Sequence, residues 1–124
     1  MIRGIGTDLL DMRRLFPGNL RENDPFFRRA FTPGEIAQGL SRADRRSYFA
    51  GRFTAKEAVF KALRTSSEGA DLGEIEIVDD AEGRPCCALR GDMAARAGEG
   101  ARLHVSISWD GDWALAFAVY ETED

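Results

Sequence analysis

The pattern of apolar and polar positions changes near the middle of the chain, from helical spacing to strict alternation. The first half predicts a short strand followed by helices, and the second half predicts four strands with one short helix among them. Helices and strands that are segregated along a chain in this way are typical of an α+β fold. We therefore expect one α+β domain over residues 1–124, in which a small antiparallel sheet packs around a long central helix.

Capping and turn residues set the predicted boundaries. Asp24 before Pro25 is a typical helix start. Thr32 is a stronger one, because a proline follows it and Glu35 lies three positions on, so the two side chains can cap one turn reciprocally. The predicted helices cover residues 9–16, about 41–63 and, after a cap at Asp92, up to about 97, with two more that start at 25 and 33. The predicted strands cover residues 2–8, 72–78, 84–89, 103–109 and 113–120.

The predicted long helix is apolar or small on almost all sides. At about 100° per residue, its large apolar side chains form one broad arc that also contains Arg52 and Lys56. Glu57 lies at the edge of this arc, and Lys61 lies one turn further on beside it. Charges among apolar residues are costly unless they pair with each other, a metal or a ligand. The large side chains of the arc are Phe49, Phe53, Val59, Phe60 and Leu63.

The first strand carries a carboxylate beside two glycines. Alternation places Ile2, Gly4, Gly6 and Asp8 on one face. Because glycines on that face let another element or a ligand come close, we expect Asp8 at the rim of a cleared surface.

The last two strands form a predicted hairpin around residues 110–112. We expect a three-residue loop, because a two-residue loop would mix large and small side chains on each face. In this register, Trp109, Ile107 and Val105 lie opposite Trp113, Leu115 and Phe117, respectively, and Ser108, Ser106 and His104 align with Ala114, Ala116 and Ala118. The small, polar face with the single histidine is then a candidate ligand wall.

Composition narrows the function classes. No apolar run approaches the roughly 18 residues of a membrane span, and the N-terminus lacks a signal-peptide pattern, so we expect a cytoplasmic protein without a membrane partner. Cys86 and Cys87 are adjacent, which argues against a disulfide framework and against a metal site built on them.

Charge is segregated along the chain. Residues 1–64 contain 13 Lys and Arg against 7 Asp and Glu, whereas residues 65–124 contain 4 against 14. A basic half favours anionic ligands or an acidic partner, although an ordinary solvated surface explains it equally well. Nucleic acid is the weaker anionic candidate, because the whole chain has a net charge of −4 and no nucleic-acid-binding motif.

Each candidate residue has a plain explanation when it is taken alone. Asp8 is also typical of a helix cap, and Glu57 with Lys61 has the spacing of an ordinary helix salt bridge. Together they indicate a divalent metal on a phosphate, because Asp8 and Glu57 supply two oxygen ligands and leave coordination positions open. Arg52, Lys56 and Lys61 would neutralise the remaining phosphate charge, as in phosphoryl-type transfer.

Six motifs, in this order, closely resemble the bacterial holo-acyl-carrier-protein synthases, the small phosphopantetheinyl transferases. The resemblance covers the chain from about Ile2 to Tyr120 and implies a phosphopantetheinyl transferase-like fold. The motifs are Gly-Ile-Gly-Thr-Asp at 4–8, Phe-Thr at 31–32 followed by Glu35, the segment 49–58 around Lys56 and Glu57, Lys-Ala at 61–62, Gly-Arg-Pro at 83–85, and His-Val-Ser-Ile-Ser at 104–108.

The resemblance implies transfer of 4′-phosphopantetheine from coenzyme A to a serine of apo acyl carrier protein, with release of adenosine 3′,5′-bisphosphate. It implies Mg²⁺ on Asp8 and Glu57 and a pyrophosphate contact from Lys61. The serine hydroxyl would attack the β-phosphorus, and its proton would pass to a carboxylate or a metal-bound water. The further coenzyme A contacts implied are Arg52 and His104 near the 3′-phosphate, Gly83, Arg84 and Pro85 near the adenine, and Ser106 and Lys56.

The same resemblance implies two kinds of protein partner. One is the acidic carrier protein, docked on a basic surface, and the other is the chain itself, because family members of this length are typically homotrimers with shared active sites. The predicted docking residues are Arg14, Arg21, Phe26, Arg28 and Arg29.

The sequence departs from the family pattern at three places where a change is expected to affect coenzyme A affinity or the choice of carrier protein. Trp109 stands where many relatives have histidine, residues 64–69 lack the usual Gly-x-Gly after Lys61, and residues 22–25 are less basic than in relatives. The alternative function is therefore a homologue that binds coenzyme A or a carrier protein without transferring the arm. A purely structural α+β protein is the third interpretation.

Overall fold

The computed structural model describes residues 1–15, 24–66 and 68–123. Two antiparallel sheets and five helices are formed by these segments, with a short 3-10 turn at Leu72–Glu74. The elements in chain order are β1 (Ile2–Asp11), α1 (Met12–Leu15), α2 (Pro25–Ala30), α3 (Pro33–Leu40), α4 (Arg45–Ala62), β2 (Ile75–Asp79), β3 (Pro85–Leu89), α5 (Gly91–Ala97), β4 (Arg102–Asp110) and β5 (Trp113–Glu121).

Helix α4 packs across a three-stranded sheet of order β1-β5-β4, while β2 and β3 form a separate hairpin. This confirms the predicted α+β arrangement of a small antiparallel sheet around a long helix. In the part of the chain that the structure describes, every helix is too short or too polar to cross a bilayer.

Small residues set the distance between α4 and the sheet. An added Cβ on Gly4 would collide with the carbonyl of Ala62, and one on Gly6 would collide with the carbonyl of Ala58. The predicted glycine-cleared face of β1 is therefore the face on which α4 lies, although a register shift leaves Ile2 exposed. Three buried alanines of β5 continue this close contact, namely Ala114, Ala116 and Ala118.

The opposite side of α4 packs on the two preceding helices. Phe27 and Phe31 contact Phe49 with ring centroids 4.6 and 4.9 Å apart. Both predicted helix starts are confirmed, because Asp24 accepts from the N–H of Phe26 and Thr32 forms a capping box with Glu35. The caps and the aromatic cluster fix α2 and α3 against the first half of α4.

Several boundaries in the first half of the chain differ from the prediction. Strand β1 continues to Asp11, so the helix predicted over 9–16 is wrong for its first three residues, and α1 begins only at Met12. The strand continues because Leu9 and Leu10 still pair with β5. Helix α4 starts at Arg45 rather than near 41, because residues 41–44 turn the chain after α3. Residues 16–23, where the predicted helix ends, lie outside the described segments.

Two differences in the second half are local. The predicted strand over 72–78 begins with the 3-10 turn, in which Asp71 accepts from the N–H of Gly73. Helix α5 starts at Gly91 without a side-chain cap, so Asp92 lies in its first turn rather than at the predicted cap position.

The hairpin register is the largest correction. Asp110 pairs with Trp113 around a two-residue loop, so the three-residue loop is wrong. Gly111 has a φ of 59°, as a two-residue loop that begins with glycine requires. Each face therefore mixes large and small side chains: Trp109, Ile107 and Val105 pair with Ala114, Ala116 and Ala118, and Ser108, Ser106 and His104 pair with Leu115, Phe117 and Val119. The mixing has a reason, since the three alanines of β5 are buried beneath α4, where there is little space for larger side chains.

Candidate active site

A carboxylate and an ammonium meet where β1 crosses α4. Lys61 Nζ lies 3.0 Å from Asp8 Oδ1 and donates to the carbonyl of Thr7 at 2.9 Å. The Lys61 side chain is 54% exposed and that of Asp8 is 23% exposed, so both reach solvent. Asp8 lies inside β1 and is not the cap of a helix, and Lys61 reaches across to the strand. The plain explanation of Asp8 as a cap is therefore excluded.

Glu57 belongs to the same flank of α4. It lies one turn before Lys61 and is half-buried. Because Gly4 packs on Ala62 and Gly6 on Ala58, β1 and α4 run in opposite directions. Two residues of strand advance about as far as four residues of helix, so Asp8 lies level with the turn of α4 that contains Glu57.

This donor set fits a divalent metal that is shared with a phosphate. Carboxylate oxygens are the ligands that Mg²⁺ prefers, and it commonly takes one or two of them together with substrate phosphates. Within residues 1–15, 24–66 and 68–123, no group of three or more His, Cys, Asp or Glu is arranged to hold a metal ion. Asp8 and Glu57 would therefore leave most coordination positions to substrate and water.

A second constellation lies on the other flank of α4, around a cavity of about 500 Å³. Its walls come from the α3–α4 turn, the start of α4, the β2–β3 loop and strand β4. Four of the predicted site residues, Arg52, Gly83, Pro85 and Ser106, line it. The other lining residues are Arg42, Ala43, Asp44, Tyr48, Asp79, Val105, Ile107 and Trp109.

Arg52 is a buried cation at this cavity. Its side chain is only 2% exposed, it forms an ion pair with Asp79, and its guanidinium lies 4.1 Å from the centre of the Tyr48 ring. Its Nε has no hydrogen-bond partner among the described residues. A buried N–H donor without a partner is costly, so the geometry favours an anionic ligand at this position.

Arg42 joins this group, although sequence reasoning assigned it no role beyond its place in the basic half. Its guanidinium lies 3.0 Å from the second carboxylate oxygen of Asp79 and 5.3 Å from the centre of the Tyr48 ring. Burial raises the pKa of Tyr48, so the phenol stays neutral between the two cations. Asp44 and Asp79 balance the charge of the two arginines among the lining residues, so the cavity suits a phosphate through its guanidinium N–H donors rather than through a net charge.

Lys56 does not reach either group of residues. Its side chain is fully buried, with Nζ 2.7 Å from Glu35 Oε1, and it donates to the carbonyls of Ala30 and Leu72. Burial lowers its pKa against the opposing effect of Glu35. The prediction that Lys56 contacts coenzyme A is contradicted by this burial, because its three donors are used inside the protein.

His104 and Arg84 lie outside the arginine-lined cavity. His104 Nε2 is 3.0 Å from Glu121 Oε1, and this hydrogen bond lowers the pKa of Glu121. Arg84 is exposed and forms an ion pair with Glu82 at 2.6 Å. Both line a separate groove of about 740 Å³ between β3 and β4. Within one chain, the structure therefore does not bring them to Arg52.

The two constellations face away from each other. Arg52 and Glu57 are five residues apart on α4, which places them about 140° apart around the helix axis. Asp8 lies on β1 and the arginine-lined cavity lies at β4, at opposite edges of the sheet. One chain therefore presents two half-sites rather than a single cleft. The group of Asp8, Glu57 and Lys61 is here called the acidic half-site, and the cavity around Arg42 and Arg52 is called the basic half-site.

The predicted docking residues lie on the short helices. Arg14 is exposed on α1, and Arg28 and Arg29 are exposed on α2. Phe26 is half-buried, and its ring lies 6.0 Å from that of Phe53 on α4. Arg21 falls outside the described residues, so its placement stays a prediction.

Fold and geometry together define an α+β protein with an acidic half-site and a basic half-site, a combination suited to a metal-bound phosphate ester. Residues 4–118 match the model of the 4′-phosphopantetheinyl transferase superfamily. The chain therefore belongs to this superfamily, as the sequence motifs predicted.

Individual relatives and solved structures show that, within the superfamily, the chain is similar to holo-[acyl-carrier-protein] synthases. The chain is 44% identical to the holo-[acyl-carrier-protein] synthase of a Methylobacterium species, over 98% of this chain and 95% of that protein. The structure of the Neisseria meningitidis holo-[acyl-carrier-protein] synthase matches with a TM-score of 0.83, at 35% identity, over 98% of this chain and 100% of that one. The Bacillus anthracis synthase in complex with CoA (3′,5′-ADP) matches with a TM-score of 0.78, at 31% identity, over 99% of both chains. These likenesses confirm the predicted family and fold.

Proposed function

We propose that this protein transfers 4′-phosphopantetheine from coenzyme A to a serine of apo acyl carrier protein and releases adenosine 3′,5′-bisphosphate. The observation that carries the proposal is the pairing of Lys61 with Asp8 on the flank of α4 that bears Glu57. The similarity to holo-[acyl-carrier-protein] synthases supports the same reaction.

The basic half-site takes the nucleotide end of coenzyme A. Arg52 and Arg42 hold the 3′-phosphate, which would supply the partner that the Nε of Arg52 lacks among the described residues. Gly83 and Pro85, in the same cavity, border the adenosine. Coenzyme A is present in the complex of the Bacillus anthracis relative, which supports a site for it in this chain.

The acidic half-site holds the pyrophosphate and the metal. Asp8 and Glu57 would bind Mg²⁺, which offsets negative charge on the pyrophosphate when it is bound. Lys61 donates to the leaving phosphate and stabilises the charge that develops there as the bond to the β-phosphorus breaks. The carrier serine attacks that phosphorus and loses its proton to an acceptor at the same half-site.

We also propose a homotrimer with active sites shared between neighbours. Two observations support an oligomer. The two half-sites face away from each other within one chain, and the sheet face opposite α4 exposes five large apolar side chains, here called the outer patch. Their exposures are 62% for Ile5, 59% for Leu9, 45% for Trp113 and Leu115, and 44% for Phe117. An exposed apolar patch of this kind is typical of an interface between protein chains.

The carrier protein would dock on the basic surface of α1 and α2. Arg14, Arg28 and Arg29 are exposed there and suit an acidic partner. Because coenzyme A and the carrier protein are both needed, the proposal keeps the cytoplasmic location expected from the sequence.

The test is a transfer assay. The protein, coenzyme A and Mg²⁺ are incubated with a panel of apo carrier proteins, and the mass of each carrier is measured. We expect one phosphopantetheine to be added, and we expect Glu57→Gln to reduce the rate about a hundredfold or more, because a charge-stabilising group is lost. Removing divalent metal with a chelator should stop transfer, and adding Mg²⁺ should restore it.

Glu99→Gln is the matched control, because Glu99 is exposed in the turn before β4 and does not line the arginine-lined cavity. Full activity in Glu57→Gln would contradict the metal-binding role. Coenzyme A binding without transfer to any carrier would instead favour the binding homologue.

A further inference from the structure

Trp109 is fixed at the arginine-lined cavity by two contacts. Its indole Nε1 donates to the carbonyl of Ser47 at 2.7 Å, and its ring rests on Gly51, where an added Cβ would collide with ring atoms. Both contacts tie the end of β4 to the first half of α4. The indole is thereby held in one orientation, while 44% of the residue stays exposed.

The exposed part of this indole is the free aromatic surface of the cavity. Among the described lining residues, the other aromatic ring belongs to Tyr48, which is 5% exposed and covered by the guanidinium groups of Arg42 and Arg52. Trp109 is not needed to close the core, because nearly half of it remains in solvent. A rigid aromatic face beside two arginines is suited to a flat base that carries a phosphate nearby.

We infer that Trp109 stacks on the adenine base of coenzyme A and makes the site selective for a purine nucleotide. This inference rests on the proposed function, since it assigns a base-binding role within the same cavity. The arginines bind the phosphate and the indole binds the base, so the nucleotide is recognised at two chemically different points. Because the indole is already immobilised by Ser47 and Gly51, stacking costs little side-chain entropy.

Tryptophan fluorescence gives a direct readout, because the chain has only two tryptophans. Trp113→Phe leaves Trp109 as the single indole, and Trp113 lies on the other face of the sheet. We expect adenosine 3′,5′-bisphosphate to quench the fluorescence of this variant saturably. We expect 4′-phosphopantetheine, which has phosphate but no base, to cause no comparable quenching. No quenching by the bisphosphate would overturn the inference.

Two substitutions separate stacking from packing. Trp109→Phe and Trp109→Leu both lose the hydrogen bond to Ser47, but only phenylalanine keeps an aromatic face. We expect Leu to raise the KM for coenzyme A by about fivefold or more with little change in kcat, and Phe to stay within about threefold of the parent. Circular dichroism and thermal unfolding confirm that both variants are folded.

The outcomes distinguish this inference from the proposed function. Transfer to the carrier with equal KM values in the parent, Phe and Leu proteins would leave the proposed function standing and overturn the role of Trp109. An equal rise in the KM for coenzyme A in Trp109→Phe and Trp109→Leu would also overturn the role of Trp109 in stacking. Both variants lack the hydrogen bond to Ser47, so its loss would explain the rise. Absence of both coenzyme A binding and transfer in the parent protein would overturn both proposals.

Discussion

Two lysines five residues apart on α4 have opposite environments. Lys56 is fully buried, with Glu35 and two carbonyl oxygens as partners, whereas Lys61 is 54% exposed and pairs with Asp8. A buried ion pair that loses one partner leaves an uncompensated charge in the protein interior. An exposed pair contributes little to stability, because solvent screens it. Stability and catalysis should therefore separate between these two residues.

We expect Lys56→Met to lower the free energy of unfolding by about 3–5 kcal/mol, because Glu35 remains buried without its cation. Lys61→Met, the matched control on the same helix, should change stability by less than about 1 kcal/mol. The Lys61→Met protein should nevertheless lose most of its transfer activity, because the cation proposed to stabilise the leaving phosphate is gone. Urea unfolding and the carrier-mass assay measure the two effects. A Lys56→Met protein as stable as the parent would contradict the structural role of this pair.

At the scale of elements, the start of α4 depends on one cap. Asp44 accepts from the backbone N–H and the hydroxyl of Ser47, at 3.0 and 2.7 Å. The hydrogen bond from the Ser47 hydroxyl is the main reason that the pKa of Asp44 lies below its ordinary value of 3.8. Because the folded pKa is the lower one, the cap stabilises the protein fully above pH 3.8, and this contribution is lost as the pH falls through the folded pKa.

We expect Asp44→Ala to destabilise the protein by about 1 kcal/mol near neutral pH, as for other N-caps. The difference from the parent should shrink as the pH falls below about 4. Asp44→Asn keeps a capping oxygen that does not titrate, so it should retain most of the stability without this pH dependence. Chemical unfolding between pH 3 and 7 measures both effects. A constant difference between alanine variant and parent over that range would show that Asp44 does not stabilise α4 as a charged cap.

Local sequence signals predicted where helices begin better than they predicted how the strands of the hairpin pair. Thr32 with Glu35, and Asp24 with Pro25, specify helix starts through their own side chains, so the sequence was sufficient there. The hairpin register was missed because it depends on how closely α4 approaches Ala116, a contact between distant parts of the chain. Gly111 before Asp112 was a local sign of the shorter loop.

At the scale of the whole molecule, charge partners were the hardest feature to predict. Alternation placed Asp8 on the glycine-bearing face of β1, which is the face that packs on α4. The pairing of Lys56 with Glu35 and of Arg52 with Asp79 is visible only in the folded chain. Both pairs join residues more than twenty positions apart, so no sequence spacing indicates them. The resemblance implied active sites shared between subunits, and the placement of Arg52 and Glu57 on different flanks of α4 is the structural observation that supports this proposal.

A shared active site predicts complementation. In Glu57→Gln the acidic half-site is defective, and in Arg52→Met the basic one is defective, so neither protein alone should be active. When the two are unfolded together in equal amounts and refolded, about a quarter of the interfaces should combine two intact half-sites. Transfer should then recover to roughly that fraction of the parent rate.

Refolding each variant separately before mixing is the control, because subunits that do not exchange cannot complement. Arg52→Met must also be folded by circular dichroism, since Arg52 is buried. No recovery after joint refolding, in variants that both fold, would contradict sharing between neighbouring subunits.

The placement of Glu57 and Arg52 on opposite flanks of α4 has a genetic consequence. In a shared assembly each chain takes part in two different active sites, so one doubly substituted chain disables both of them. Equal expression of such a chain beside the parent should leave only about a quarter of the sites intact rather than half. Alleles that assemble but lose both half-sites are therefore expected to lower activity below the half that remains beside an allele that prevents folding or one that loses a single half-site.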